Sequence, residues 1–141
     1  MAIAELAAVM CVALSGCADW SRETRVEESA YQLLSAVDTV QTYHGAKDPG
    51  CYTESDPITS MAIGDHPKPS AVLGYGVARA GLHAFVTDWM VHDDAAPWAV
   101  RTWELLSIGV EGRDVRGNWI IGLRVGSSTP PSYAPCRQAR A

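Results

Sequence analysis

Histidines and carboxylates in the middle of the chain are the residues best suited to metal chemistry. Asp88 and His92 are four residues apart, which places them on one helix face, whereas His83 lies five residues before Asp88 and fits that face poorly. His66 stands in a separate Gly-Asp-His-Pro-Lys-Pro segment, and the chain has no HExxH motif. We therefore expect these histidines at the surface or at helix ends, with no bound metal and no cofactor.

Motifs for nucleophilic catalysis and for phosphate binding are absent from the sequence. The serines do not stand in a GxSxG elbow. Gly74-Tyr75-Gly76 lacks the GxGxxG context of a nucleotide-binding loop. The net charge of −5 does not supply the basic face that nucleic-acid binding needs. The sequence therefore predicts no catalytic activity and no nucleic-acid partner.

Polar side chains that border apolar helix faces need partners, because burying an unpaired charge is costly. Arg79 lies midway along an apolar segment, and its expected partner is Asp38 or Glu54. Arg101 is expected to pair with Glu104 or Asp38. We predict a network that locks a loop onto the helices, and a proton-handling or ligand-binding site made of the same groups is the alternative. The predicted members are Asp38, Gln41, Thr42, Glu54, Arg79 and Arg101.

The N-terminus carries a pattern typical of a processing signal. Residues 3–16 are mostly apolar, and this stretch is shorter than the roughly 20 residues that cross a bilayer. It has the length of the apolar region of a signal peptide. Leu14-Ser15-Gly16-Cys17 resembles the lipobox of bacterial lipoproteins. The resemblance implies cleavage before Cys17 and acylation of this cysteine, so that the mature chain is held on a membrane by lipid.

The resemblance also has consequences for the compartment and for the other cysteines. Ala18 follows the lipidated cysteine, which implies an outer-membrane protein facing the periplasm. Two cysteines remain after the signal is removed, and cysteines in an oxidising compartment tend to pair, so we expect a disulfide between Cys51 and Cys136. The alternatives for the N-terminus are a buried helix with core cysteines and an uncleaved membrane helix.

Periodic apolar segments predict three helices. The first carries an apolar stripe that includes Leu33, Leu34 and Val37 at helical spacing, and Ser29 is its expected cap. Pro97 suits the first position of the third helix. The predicted helices cover residues 29–46, 70–91 and 97–111, and residues 118–125 predict a further helix or a strand.

The segment 48–70 between the first two helices is rich in Pro, Gly, Ser and Asp and predicts a loop. Loops longer than roughly 12–15 residues are uncommon, and we expect a short helical turn at 57–63 within this one. The fold class is therefore mainly α, a small hairpin or bundle of three to four helices with an irregular C-terminal tail. The predicted organisation is a signal peptide at 1–16, a lipidated tether at 17–28, a helical domain at 29–126 and the tail at 127–141.

A second pattern covers residues 38–80. Asp38 and Thr42 form an Asp-x-x-x-Thr pair, and Glu54-Ser55-Asp56-Pro57 follows in the loop. The arrangement resembles small uncharacterised bacterial membrane proteins that have an Asp-x-x-x-Thr helix and a Glu-x-Asn-Pro loop, although Asp56 stands here in place of the Asn. This resemblance implies no biochemical role.

Taken together, these patterns predict a lipid-anchored bacterial envelope protein with a structural or partner-binding role. We expect a possible envelope protein partner to contact the 48–70 loop. One alternative is a small polytopic helical membrane protein, because the helices at 70–91 and 97–111 are each about long enough to cross a bilayer. Another is an enzyme or metal protein that uses His66, His83 and His92.

Overall fold

A computed structural model of the chain describes residues 20–48, 50, 52–123 and 125. Four helices occur in these ranges and no strand does, so the predicted mainly α class is confirmed. Cys17, Cys51 and Cys136 lie outside the described residues, as do the predicted signal peptide and tail. The helices are α1 (Arg22–Ala46), α2 (Pro57–Ile63), α3 (Pro69–His92) and α4 (Pro97–Ile120).

The long helices contribute to two compact units. Of the described residues, unit 1 holds Trp20–Ala36 and Val77–Gly112, and unit 2 holds those between Val37 and Gly76 and those from Arg113 to Val125. Each unit therefore contains one part of α1, one part of α3 and one part of α4.

Helix α1 begins seven residues before the predicted start at Ser29. Ser21 caps it, because the backbone N–H of Thr24 donates to the Ser21 hydroxyl at 3.1 Å. Glu23 adds a negative charge to the first turn, where the helix dipole favours it. Most of the predicted tether at 17–28 is thus helical. Trp20, two residues before α1, is buried, and its indole N–H donates to Asp88 at 3.1 Å.

Helix α4 continues beyond the predicted end at residue 111 and ends at Ile120, two residues before Gly122. A glycine inside a helix costs only about 1 kcal/mol, so Gly112 does not break it. Gly122 has a φ of 93°, and the amides of Gly122 and Leu123 donate to the carbonyls of Trp119 and Asn118. This hydrogen-bond pair is a Schellman cap, which needs the left-handed residue that glycine supplies. The helical alternative for residues 118–125 therefore holds through Ile120.

The long loop contains the predicted helical turn, which is α2 at Pro57–Ile63. Asp56 caps it by accepting a hydrogen bond from the Thr59 amide at 2.8 Å, and Pro57 occupies the first helical position. The amide of Glu54 donates to the carbonyl of Asp65 at 2.8 Å, which ties the two arms of the loop together. The segment is therefore held in place by its own hydrogen bonds.

The inward face of α1 is polar and its apolar stripe is not the buried side. Leu33 is exposed, whereas Glu28 and Gln32, at helical spacing, are buried. The same inversion extends through unit 1, whose exposed side chains include large apolar ones on all three helices. Within the described residues, no helix is long and apolar enough to cross a membrane. The exposed apolar residues of unit 1 include Val26, Leu33, Leu82, Phe85, Trp89, Trp98, Leu105, Leu106 and Val110.

Close helix contact in unit 2 depends on one glycine of α3. A Cβ added to Gly76 would overlap the hydroxyl of Thr39 and lie 2.6 Å from its methyl group. We expect Gly76→Ala to lower the free energy of unfolding by about 1–3 kcal/mol, since the helices must separate to admit the methyl group. Urea unfolding followed by circular dichroism measures this change.

Gly74 provides the matched control, because an added Cβ there meets no described atom within 4 Å. Gly74→Ala is expected to raise the free energy of unfolding by about 0.5–1 kcal/mol through helix propensity alone. Equal stabilities for the two variants would contradict a close contact at Gly76.

Candidate functional site

Three ionisable side chains from three helices meet in the interior of unit 1. Glu28 belongs to α1, His83 to α3 and Glu104 to α4. Their relative exposures are 2%, 4% and 0%, so all three are buried. One nitrogen or oxygen atom from each lies within 4.8 Å of the corresponding atoms of the other two. We call these residues the Glu–His–Glu cluster.

The carboxylate of Glu28 is held on both oxygens. His83 Nδ1 lies 2.8 Å from Oε2, and Gln32 Nε2 donates to Oε1 at 2.6 Å. Gln32 lies one helical turn after Glu28, and its amide also donates to the carbonyl of Ala80 at 2.9 Å. The position of the Glu28 carboxylate is therefore set by contacts from two helices.

Thr87 links the two carboxyl groups. Its hydroxyl lies 2.6 Å from Oε1 of Glu104 and 3.2 Å from Oε2 of Glu28, and the indole N–H of Trp103 donates to it at 3.1 Å. A threonine hydroxyl has one proton, so it can donate to only one carboxyl group at a time. Within the described residues, no donor reaches the other oxygen of Glu104, Oε2.

Aromatic rings fix the imidazole of His83. The ring of Tyr31 stacks on it with centroids 3.5 Å apart, and the ring of Trp103 lies at 4.8 Å, with interplanar angles of 15° and 18°. Nδ1 points to Glu28, while Nε2 has no hydrogen-bond partner in the described part of the chain. The stacking leaves the imidazole little freedom to rotate.

The two carboxyl groups have opposite pKa shifts. Burial raises the pKa of Glu104 to about 8, and the nearby charge of Glu28 adds to this effect against the hydrogen bond from Thr87. Burial also acts on Glu28, but hydrogen bonds from His83 and Gln32 outweigh it and hold the pKa of this carboxyl below its ordinary value. At neutral pH the cluster therefore contains a Glu28 carboxylate beside a protonated Glu104.

Arg79 and Glu111 form a second ion pair in unit 1, in which the Glu111 carboxylate is buried and the Arg79 side chain is 20% exposed. A guanidinium nitrogen of Arg79 lies 3.0 Å from the carboxylate of Glu111, and another donates to the Ser35 hydroxyl at 3.2 Å. Burial raises the pKa of Tyr31, and the charge of Glu111 adds to the increase. The predicted network member Arg79 is thus half-buried and pairs with Glu111 instead of the expected Asp38 or Glu54.

Arg101 lies at the surface and not in a buried network. Its guanidinium is 3.3 Å from the carboxylate of Glu27, and its side chain is largely exposed. The predicted partner Glu104 is fully buried and hydrogen-bonds Thr87 instead. The predicted Arg101–Glu104 pair is therefore wrong, because the two side chains leave α4 on different faces although they are three residues apart.

The other predicted network residues lie in unit 2. Asp38 accepts a hydrogen bond from Asn118 at 2.8 Å, and Gln41 donates to the carbonyl of Val115 at 3.5 Å. Tyr52 is buried, and its hydroxyl donates to Glu54 at 2.7 Å. Burial raises the pKa of Tyr52, and the hydrogen bond to Glu54 adds to this increase. Thr42 also hydrogen-bonds the Tyr52 hydroxyl, so the predicted residues secure the loop within unit 2.

The histidines divide between the surface and the interior. His92 is exposed and its Nδ1 lies 2.9 Å from the carbonyl of Asp88 near the end of α3, as expected. His66 Nδ1 lies 3.0 Å from the carbonyl of Tyr52 and so belongs to the loop. The expected surface position of His83 is wrong. His83 lies on the same face of α3 as Thr87, four residues later, and both side chains are buried.

Neither carboxylate of the Glu–His–Glu cluster belongs to the network predicted from the sequence. Glu28 was assigned to a tether, and Glu104 was considered only as a partner for Arg101. A usable signal was present: Glu28 and Gln32 share one helix face, as do His83 and Thr87. The pair on α3 is the clearer signal, because the rest of that helix is largely apolar.

Comparisons with known proteins give no further guide to the site. No protein-family model matches this sequence, and no curated protein or solved structure is significantly similar to it.

Proposed function

We propose that the protein is a lipid-anchored component of a bacterial cell envelope with a structural or partner-binding, non-catalytic role. The lipobox pattern at residues 14–17 supports the anchor and the outer-membrane location facing the periplasm. The anchor would hold the helical part of the chain close to the bilayer surface. A Cys51–Cys136 disulfide remains part of this proposal.

The observation that best supports partner binding is the exposure of apolar side chains on α2. Ile58 is 72% exposed and Met61 is 88% exposed. The Asp56 cap and the Glu54–Asp65 hydrogen bond hold this helix in place without covering either side chain. A pre-ordered apolar contact loses less conformational entropy when a partner binds. We therefore assign the contact with an envelope protein partner to this part of the 48–70 loop.

A second candidate is a helical membrane protein that does not depend on the lipid anchor. The distribution of polarity in unit 1 favours it, because buried Glu28 and Glu104 contrast with exposed Leu82, Phe85 and Trp89. Such an arrangement suits surroundings that are themselves apolar. The two candidates differ in what retains the protein at the membrane.

Replacing Cys17 by alanine separates the two candidates. We expect the wild-type chain to be recovered from membranes with a mass that begins at Cys17 and includes added acyl chains, because thioether lipidation precedes cleavage in lipoproteins. Cys17→Ala is expected to lose the acyl mass and most of its membrane association. Intact mass spectrometry of the fractionated protein measures both effects.

Cys11→Ala is the matched control, since this cysteine lies within the proposed signal peptide and would leave the mature chain unchanged. A Cys17→Ala protein that stays in the membrane fraction would favour the second candidate. An unmodified wild-type chain that retains Met1 would overturn the anchor proposal.

A further inference from the structure

We propose that the Glu–His–Glu cluster of unit 1 is a binding site for a divalent transition-metal ion that accepts imidazole nitrogen and carboxylate oxygen, as zinc does. Glu28, His83 and Glu104 would each supply one ligand atom. This proposal is independent of the anchor and of any partner.

The donor set and its placement fit such an ion. Zinc binds histidine nitrogen and carboxylate oxygen at about 2.0–2.2 Å, so tetrahedral ligand atoms lie about 3.3–3.5 Å apart. The three candidate atoms of the cluster lie within 4.8 Å of one another, so shifts of roughly an ångström or less would bring them to bonding distance. Histidine with two carboxylates suits zinc, manganese or iron better than magnesium or calcium, which prefer oxygen alone.

Glu104 provides a second, independent observation that supports ligand binding at the cluster. Its side chain is fully buried, and within the described residues its Oε2 has no hydrogen-bond partner. Buried polar atoms are nearly always satisfied, so without metal this oxygen must carry the proton of neutral Glu104, and an ion bound between the two carboxyl groups would displace that proton and take its place. An ion bound between Glu104 and Glu28 would also compensate the two adjacent carboxylates, which repel each other when both are ionised.

The groups around the cluster resemble the outer shell of a metal site. Gln32 donates to Glu28 and Thr87 donates to Glu104, each at 2.6 Å and each to the oxygen Oε1. Such outer hydrogen bonds orient carboxylate ligands and strengthen metal binding. The stacked rings of Tyr31 and Trp103 hold the imidazole of His83 in one orientation. The ligands are therefore placed before an ion arrives, which reduces the conformational cost of binding.

The test uses purified full-length protein from which metal has been removed with a chelator. Titration with Co²⁺ alone is expected to produce d–d absorption that saturates at one ion per chain, and added Zn²⁺ should abolish it. Glu104→Gln removes a ligand but keeps the shape, and its amide can still contact Thr87 and Glu28. We expect this variant to bind about 100-fold or more weakly.

His92→Gln is the matched control, because His92 lies on the same helix beside Asp88 but is exposed. It should bind Co²⁺ like the wild type. X-ray absorption of the zinc-loaded wild type should show nitrogen and oxygen ligands, including one imidazole, and needs no variant to fold. The proposed site would be overturned if Co²⁺ binding did not saturate at one ion per chain, or if Glu104→Gln bound Co²⁺ as tightly as the wild type. Loss of Co²⁺ binding in His92→Gln, or sulfur ligands in the X-ray absorption spectrum, would also overturn it.

Discussion

Replacing Glu28 by alanine is expected to lower the free energy of unfolding by about 3–5 kcal/mol, because it removes a buried hydrogen-bond acceptor and leaves several buried polar groups unsatisfied, each at a cost of about 1–3 kcal/mol. The carboxylate of Glu28 contacts His83 at 2.8 Å and Gln32 at 2.6 Å, and the hydroxyl of Thr87 at 3.2 Å. Alanine would leave these polar groups without their shared acceptor in a site that water does not reach. Urea unfolding followed by circular dichroism, with chelator present, measures the effect.

The neighbouring residue provides a matched control for this variant. Glu27 pairs with Arg101, whose side chain is largely exposed, so solvent screens this ion pair. Glu27→Ala is therefore expected to cost less than about 1 kcal/mol. If the two alanine variants were equally stable, Glu28 would not be the central acceptor of the polar interior. If Glu28→Ala does not fold at all, the loss of stability exceeds the expected range in the same direction.

Stability is expected to fall as the pH rises from about 5 to 8, because the pKa of Glu104 is raised to about 8 in the folded chain. In this window the folded protein binds the Glu104 proton and the unfolded chain does not, so each increase in pH favours unfolding. The stability that Glu104 contributes is complete below its ordinary pKa and is lost as the pH approaches 8. We expect a decrease of up to a few kcal/mol across the window.

Glu104→Gln isolates this contribution, because glutamine is neutral at every pH in the range. The variant should show a flatter dependence of unfolding free energy on pH, measured in urea at several pH values with chelator present. The difference between wild type and variant removes the contributions of titrating groups that do not interact with Glu104. An unchanged pH dependence in Glu104→Gln would contradict the raised pKa. A steeper loss of stability on acidification would instead point to Glu104 being ionised at neutral pH.

Helix positions were largely predictable because local signals act over a few residues. Pro69 and Pro97 mark the starts of α3 and α4, since proline suits the first turn of a helix. The turn predicted at 57–63 is also present, with Pro57 at its first position. The two errors in helix length occurred where local signals were ambiguous: the start of α1 is highly charged, and Gly112 resembles a helix stop.

The polar network was predicted only in part, because partner choice depends on side-chain direction in three dimensions. Asp38 and Glu54 do take part in hydrogen bonds in unit 2, and Arg79 pairs with a buried carboxylate in unit 1. That carboxylate is Glu111, which lies far from Arg79 in sequence and carries no motif. A single sequence identifies residues that need partners, but it does not show which carboxylate pairs with each of them.

The sequence by itself determined the helical class, the boundaries set by proline and the lipobox pattern, because each depends on neighbouring residues. Only the tertiary structure decided which face of each helix lies inside. Hydrophobic periodicity normally identifies that face, but here hydrogen bonds between Glu28 and His83 and between Thr87 and Glu104 satisfy the polar groups, so a polar face can be buried. These contacts join helices distant in the sequence, and no local pattern of spacing contains them.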